Sequence, residues 1–158
     1  MRNLLILLII LLFYSCSSKI DSGFVEKNGE EIKNTFTSVI ISKRGKSFII
    51  EDKRVKPSTF IEVIKKGNTY TIKSDIIVDE KQFYVSKIKL LDRLGFNAST
   101  SEDSIFGIDI KLYGENENLI YCSDIKEVNE KEWIRYLNSL RKIDDNWYVE
   151  ENVGSVSD

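Results

Sequence analysis

The residues able to do chemistry in this chain are few, and one type is absent. The 158 residues include no histidine and two cysteines, Cys16 and Cys122. Without an imidazole, Ser–His and Cys–His nucleophiles are excluded, because each needs that base to take the nucleophile's proton. The common His/Cys zinc sites are excluded with them, since Cys122 could supply a single ligand. Cys122 closes the apolar run Leu119-Ile120-Tyr121-Cys122. It reads as a buried thiol acting as a small hydrophobe. The spacings GxSxG, GxxxxGK[ST] and GxGxxG do not occur. A Ser–Lys pair or two carboxylates would still suffice for hydrolysis, but with 25 acidic residues, adjacency in sequence singles out no pair. Calcium needs only oxygen ligands, yet neither Ser101-Glu102-Asp103 nor Asp144-Asp145-Asn146 has the alternating Asp-x-Asp-x-Asp-Gly layout. The chain therefore reads as non-enzymatic, with no catalytic residue, metal or cofactor.

Charge is the other source of specificity. The total is −2. From Ser17 to Phe96 there are 16 Lys and Arg against 11 Asp and Glu; from Asn97 to Asp158 there are 6 against 14. The basic excess centres on Lys43, Arg44 and Lys46, and the acidic excess includes Glu115, Glu117, Asp144 and Asp145. These seven residues are the candidate partner-binding set. A surface of two signs suits an anionic membrane on one side and a cationic protein on the other. Nucleic acid is not expected as a partner.

The N-terminus carries the strongest motif. Arg2 is followed by Leu4 to Tyr14, an apolar run of 11 residues, then Ser15-Cys16. A membrane-spanning helix needs about 20 apolar residues and a secretory h-region roughly 7–15. Phe13-Tyr14-Ser15-Cys16 resembles the lipobox of bacterial lipoproteins, with a bulky residue three before the cysteine and a small one directly before it. Tyr14 is larger than is usual at its position. The resemblance covers residues 1–16 only. It implies cleavage before Cys16, a diacylglycerol thioether on that residue, and a fatty acyl chain such as palmitate on the new amino group. Two or three chains anchor a protein stably, whereas one binds marginally. Ser17, rather than Asp, at the next position implies the outer membrane if the cell has one. The location expected is the cell envelope.

The elements that would position the charged residues follow from periodicity. Residues 16–34 are polar and read as a tether, with a short strand at Phe24-Val25. A single β-rich domain is expected over 35–150, and a polar tail over 151–158. Runs Phe36–Ile41 and Ser47–Glu51 flank Lys43-Arg44-Gly45-Lys46 and predict a hairpin. Ser58–Lys66 reads as a strand, with a capped helix as the alternative. Tyr70, Ile72, Ser74, Ile76 and Val78 alternate with polar residues and predict a half-buried strand. Further strands are expected at Phe83–Leu90, Phe106–Leu112, Leu119–Cys122 and Trp147–Val149, with a polar loop at Asn97–Ser104. One helix is expected, capped by Asn129. It buries Trp133, Leu137 and Leu140 and ends on Arg141 and Lys142.

The fold class expected is α+β, mostly β: an antiparallel β-meander or small open barrel or sandwich with one C-terminal amphipathic helix. The function expected is that of a non-enzymatic, membrane-anchored binding lipoprotein of inhibitor, immunity or assembly-accessory type. Its partner would be an envelope or extracellular protein. The alternatives are a small-molecule or lipid carrier with a β-barrel cavity, and an envelope hydrolase using Ser/Lys or paired carboxylates.

Overall fold

The computed structural model describes residues 20–54, 59–73, 78–101, 108–128 and 131–152. In chain order it contains α1 (Ser22–Phe36), β1 (Val39–Arg44), β2 (Ser47–Asp52), β3 (Thr59–Lys66), β4 (Thr69–Ile72), α2 (Val78–Arg93), β5 (Phe96–Thr100), β6 (Ile110–Gly114) and β7 (Glu117–Tyr121). A 3-10 turn (Ile125–Glu127), α3 (Lys131–Ser139), β8 (Arg141–Lys142) and β9 (Trp147–Glu151) complete it. The nine strands form one open sheet in the order β4-β3-β2-β1-β5-β6-β7-β9-β8, every pair antiparallel. The fold is thus α+β and mostly β, as the strand patterns imply. One meander, β1 to β4, runs outward from the centre to one edge. A second, β5 to β7, runs to the other side and is completed by the β8–β9 hairpin. Each meander is preceded by a helix.

The first helical segment replaces most of the expected tether. Asp21 caps α1, its carboxylate accepting from the Phe24 amide at 2.9 Å. Val25, Asn28, Gly29, Ile32 and Phe36 recur at helical spacing and are buried. Asn28 and Gly29 interrupt the apolar stripe, which is why the segment reads as polar in sequence. Gly29 is where Trp147 approaches: an added Cβ would lie 3.3 Å from the indole Cζ2.

The expected strand at Phe83–Leu90 is also helical. In α2 the buried stripe is Tyr84, Lys87, Ile88 and Leu91. Tyr84, Ile88 and Leu90 also share one face at a period of two, and only packing against the sheet distinguishes the two readings. The expected strand through Tyr70 ends at Ile72; residues 74–77 lie outside the described residues, and Val78 opens α2. The expected loop from Asn97 is strand β5, at the centre of the sheet, with Ser99 fully buried. From Asn97 to Thr100 its side chains are small and mostly polar, so pairing with β1 and β6 defines it rather than apolar alternation. Arg141 and Lys142 form β8, not the last turn of a helix. Asn129, Phe106 and residues 153–158 lie outside the described residues.

One face of the sheet buries the larger core. Val39, Ile41, Phe48, Ile50, Ile61, Val63, Leu112 and Leu119 meet Ile32 and Phe36 of α1 and Ile88 and Leu91 of α2. The other face holds a smaller core under α3, where Ile120, Cys122, Val128 and Tyr148 surround Leu137, with Trp133, Ile134 and Leu140 at its margin. Cys122 is buried there, as its apolar run implies. A polar cluster fastens α3 to the sheet. Lys111 Nζ donates to the Tyr136 hydroxyl at 3.0 Å and pairs with Glu150 at 2.9 Å, and Tyr136 donates to Glu150 at 2.7 Å.

A buried carboxylate closes the far end of β2. Asp52 accepts from the Arg54 amide at 3.0 Å, from its Nε at 2.9 Å and its Nη2, and from the Tyr84 hydroxyl at 2.9 Å. The Arg54 guanidinium, above all, holds the Asp52 carboxyl down at about 2. Burial, then the bond to Asp52, pushes the Tyr84 hydroxyl up to about 12. The Phe83 ring takes Arg54 at 4.2 Å and Lys87 at 4.3 Å from its centroid.

Two predictions follow from this packing. A carboxyl whose folded pKa is depressed stabilises the fold above its ordinary value, and that contribution is lost as pH falls through the depressed one. Asp52→Asn will therefore destabilise the protein by about 2 kcal/mol at neutral pH and flatten the stability loss between pH 3.8 and about 2, as read by urea unfolding across pH. Leu137→Ala will cost roughly 2–5 kcal/mol in the same assay, because it empties the contact that holds α3; a loss under 1 kcal/mol would show that the polar cluster alone carries the helix.

Candidate functional site

Strand direction decides which candidate residues meet. β1, β3, β6 and β9 run toward one end of the sheet, and their antiparallel partners run away from it. That end gathers the β1–β2 turn, the β3–β4 turn and the β6–β7 turn. Gly45 and Gly67 take positive φ, +60° and +58°, at the first two turns. We call this the hairpin end.

The sequence candidates Lys43, Arg44 and Lys46 all lie there and are exposed. The register Ser47↔Ile64 and the bond from the Lys65 amide to the Lys46 carbonyl, 2.9 Å, set the β3–β4 turn beside them. Lys43, Lys46, Lys65 and Lys66 consequently line one groove of about 510 Å³, with Phe48 in its wall. Lys65 and Lys66 were not singled out in the sequence. The signal was the Lys65-Lys66-Gly67 turn, whose position beside Lys46 becomes visible only with the register.

The groove is organised from beneath by α2. Lys65 Nζ pairs with Asp92 at 2.6 Å, and the Tyr70 hydroxyl donates to the same oxygen at 2.8 Å. That bond to Asp92 raises the Lys65 ammonium above its ordinary value. Lys43 is held by the Asn97 side-chain oxygen at 2.9 Å. Among the described residues, Lys43, Lys46 and Lys66 have no carboxylate partner within ion-pairing distance. A groove with several unneutralised ammonium groups and one internal carboxylate suits an anion.

The acidic candidates separate into two groups. Glu115 and Glu117 flank the β6–β7 turn at the hairpin end; Asp144 and Asp145 occupy the turn before β9 at the opposite end. Glu117 is turned inward, its side chain 15% exposed, where it binds Arg141 at 2.7 Å and the Ile20 amide at 2.9 Å. Arg141 also donates to the Ile20 carbonyl at 2.9 Å. Glu117 thus ties the start of α1 to the sheet. Asp145 pairs with Lys142 at 3.3 Å. Asp144 joins Glu26, Glu30 and Lys33 around a hollow of about 300 Å³ floored by Tyr121 and Trp147. Cys16 lies outside the described residues.

A third surface was not visible in sequence. Over β1 to β3 the sheet face opposite α2 carries Ile40, Ile49, Phe60 and Ile64, which join neither apolar core. Phe60 is 66% exposed. The register interleaves them with acids: Ile40↔Glu51↔Phe60 in one row and Ser42↔Ile49↔Glu62 in the next.

For the Ser/Lys alternative, the relevant lysine is Lys87. It is buried, and burial, then the charge of Arg54, brings its ammonium down to about 8. Its Nζ donates to the Thr35 carbonyl, and no hydroxyl among the described residues is bonded to it. The Ser99 and Ser101 hydroxyls are buried without a partner among the described residues. The carrier alternative required a barrel interior, and the open sheet has edges at β4 and β8. Among the described residues no helix is long and apolar enough to cross a membrane, and no cluster of three potential His, Cys, Asp or Glu metal ligands occurs. No family model, curated protein or solved structure matches the chain.

Proposed function

We propose that this protein is an exported, lipid-anchored envelope lipoprotein that acts as a non-enzymatic protein-binding module. The observation that carries the binding reading is the outer face of β1 to β3, covered by no helix among the described residues, with Phe60 exposed on β3. Burying an aromatic and three isoleucines contributes at roughly 25 cal/mol per Å² of apolar surface removed from water. An antiparallel sheet can leave one face to water, but such a face is then polar; here apolar residues alternate with Glu51 and Glu62 in two adjacent rows. The surface that fits is an apolar patch bearing Lys or Arg side chains, on another envelope or extracellular protein. The anchor reading rests on Leu4 to Cys16 and places the module at the outer membrane where the cell has one, with Cys16 acylated. Neither reading needs a cofactor or a catalytic group.

Each half of this proposal has its own expected outcome. A photoreactive residue at position 60 will give one discrete heterologous adduct on intact cells, and Glu51→Lys with Glu62→Lys will abolish it. Adducts only between copies of this chain, or the same adducts from a probe at Lys126, would overturn the binding reading. Cys16→Ser will leave an unprocessed precursor that takes up no labelled palmitate. Normal maturation of that variant would overturn the anchor, while leaving the crosslinking result to stand by itself.

A further inference from the structure

We propose that the lysine groove at the hairpin end binds the phosphate of an anionic phospholipid headgroup in the membrane that carries the anchor. This rests on the reading of Cys16 as the acylated residue, and adds to it an orientation and a ligand.

The orientation follows from the position of Ile20. Ile20 is fixed by Glu117 and Arg141, both at the hairpin end. Four residue steps separate it from Cys16, and a chain spans at most ~3.6 Å per residue, so Ile20 lies within about 14 Å of the anchored cysteine. Had residues 16–34 been an extended tether, the domain could present any side to the bilayer. Because α1 begins at Ser22, it cannot. β3 ends and β7 begins at the hairpin end, about 24 Å apart across five strand spacings, so the groove and Ile20 belong to the same end of the sheet.

Charge favours the same orientation. The hairpin end carries Lys43, Arg44, Lys46, Lys65 and Lys66 on two adjoining turns. The hairpin end also carries Glu115 and Glu117 on the β6–β7 turn, and the opposite end mixes Asp109, Asp124, Asp144 and Asp145 with Lys53, Arg54, Lys126 and Lys142, so the unmixed cationic cluster is the pair of lysine turns. An anionic surface attracts that cluster over a Debye length of about 8 Å at physiological ionic strength. Within the groove, ammonium groups of Lys43, Lys46 and Lys66 donate to the phosphate oxygens. Asp92 engages Lys65, and so keeps the fourth lysine in place when the groove is empty.

The test is lysine acylation by an amine reagent on the purified, full-length mature protein in vesicles, read residue by residue by mass spectrometry. Vesicles of phosphatidylcholine alone are compared with vesicles containing phosphatidylglycerol, and the mass of the N-terminal peptide reports acylation of Cys16. The expected result is several-fold slower labelling of Lys43, Lys46 and Lys66 in the anionic vesicles, reversed by high salt, with Lys126 at the opposite end unchanged. Lys46→Gln with Lys66→Gln, both exposed turn residues, will remove the protection of Lys43 without altering the circular dichroism. Equal labelling in the two vesicles, with Cys16 acylated, overturns the headgroup site and leaves the anchor intact. An N-terminal peptide without acyl chains overturns the anchor and, with it, the orientation. Equal protection by inorganic phosphate in phosphatidylcholine vesicles overturns the lipid as the source and assigns the groove to a soluble anion.

Discussion

The pairing of β1 with β5 is the joint on which both halves of the molecule depend. Each of these strands opens a meander, and the two meanders meet along this one antiparallel contact, registered at Ile41↔Ser99. The helices brace the joint from the larger core. Lys87 of α2 donates to the carbonyl of Thr35 near the end of α1, and Arg93 of α2 pairs with Glu31 of α1. Ile32, Phe36, Ile88 and Leu91 fill the space between, all fully buried. Among the described residues nothing comparable covers the outer face of the first meander, because α3 follows β7 and packs over the second. The asymmetry between a covered half and a bare half is therefore a consequence of connectivity: one extra helix serves one meander only.

Antiparallel pairing also sorts charge. Turns that join successive strands alternate between the two ends of a sheet, so residues near in sequence are sent to opposite ends and residues distant in sequence are brought together. Lys43 to Lys46 and Lys65-Lys66 lie on separate hairpins, yet line one groove. Glu115 and Asp144 share a sign and lie at opposite ends. Among the acidic candidates, Glu117 does structural work: its carboxylate receives both the guanidinium of Arg141 and the amide of Ile20. A half-buried, doubly bonded carboxylate holds two segments in register, since leaving either donor unmatched would expose its desolvation cost.

Legibility in sequence tracked how many physical signals agreed. The hairpin around Gly45, the strand at Leu119 and the helix bearing Trp133 and Leu137 each combined a single periodicity with turn or cap chemistry, and each is present. Ser58–Lys66 admitted a capped helix beside the strand, and Thr59–Lys66 is strand β3 with its turn at Gly67. Elsewhere conflicting signals misled the reading. Around Phe83 to Leu90 both periods fit the apolar residues, and Lys87, charged in sequence, is in fact on the buried stripe. In α1, Gly29 occupies the stripe because Trp147 needs the space, a contact spanning most of the chain. In β5, Asn97 to Thr100 offer no apolar alternation, and the strand exists because β1 and β6 supply partners on both sides.

The sequence by itself determined the chemistry that this protein cannot do without histidine, the lipobox-like run ending at Cys16, the mostly β class and the sign of charge on each turn. These are properties of composition and of short windows, within which side-chain type and spacing act directly. The tertiary structure decided that residues 22–36 and 78–93 are helices, that four lysines from two turns share one groove beside Asp92, that Glu117 faces inward, and that Phe60 stands exposed on the outer face of β3. Those outcomes depend on which strands become neighbours and in what register. Register is set by burial summed over the whole sheet, and no local window contains that sum.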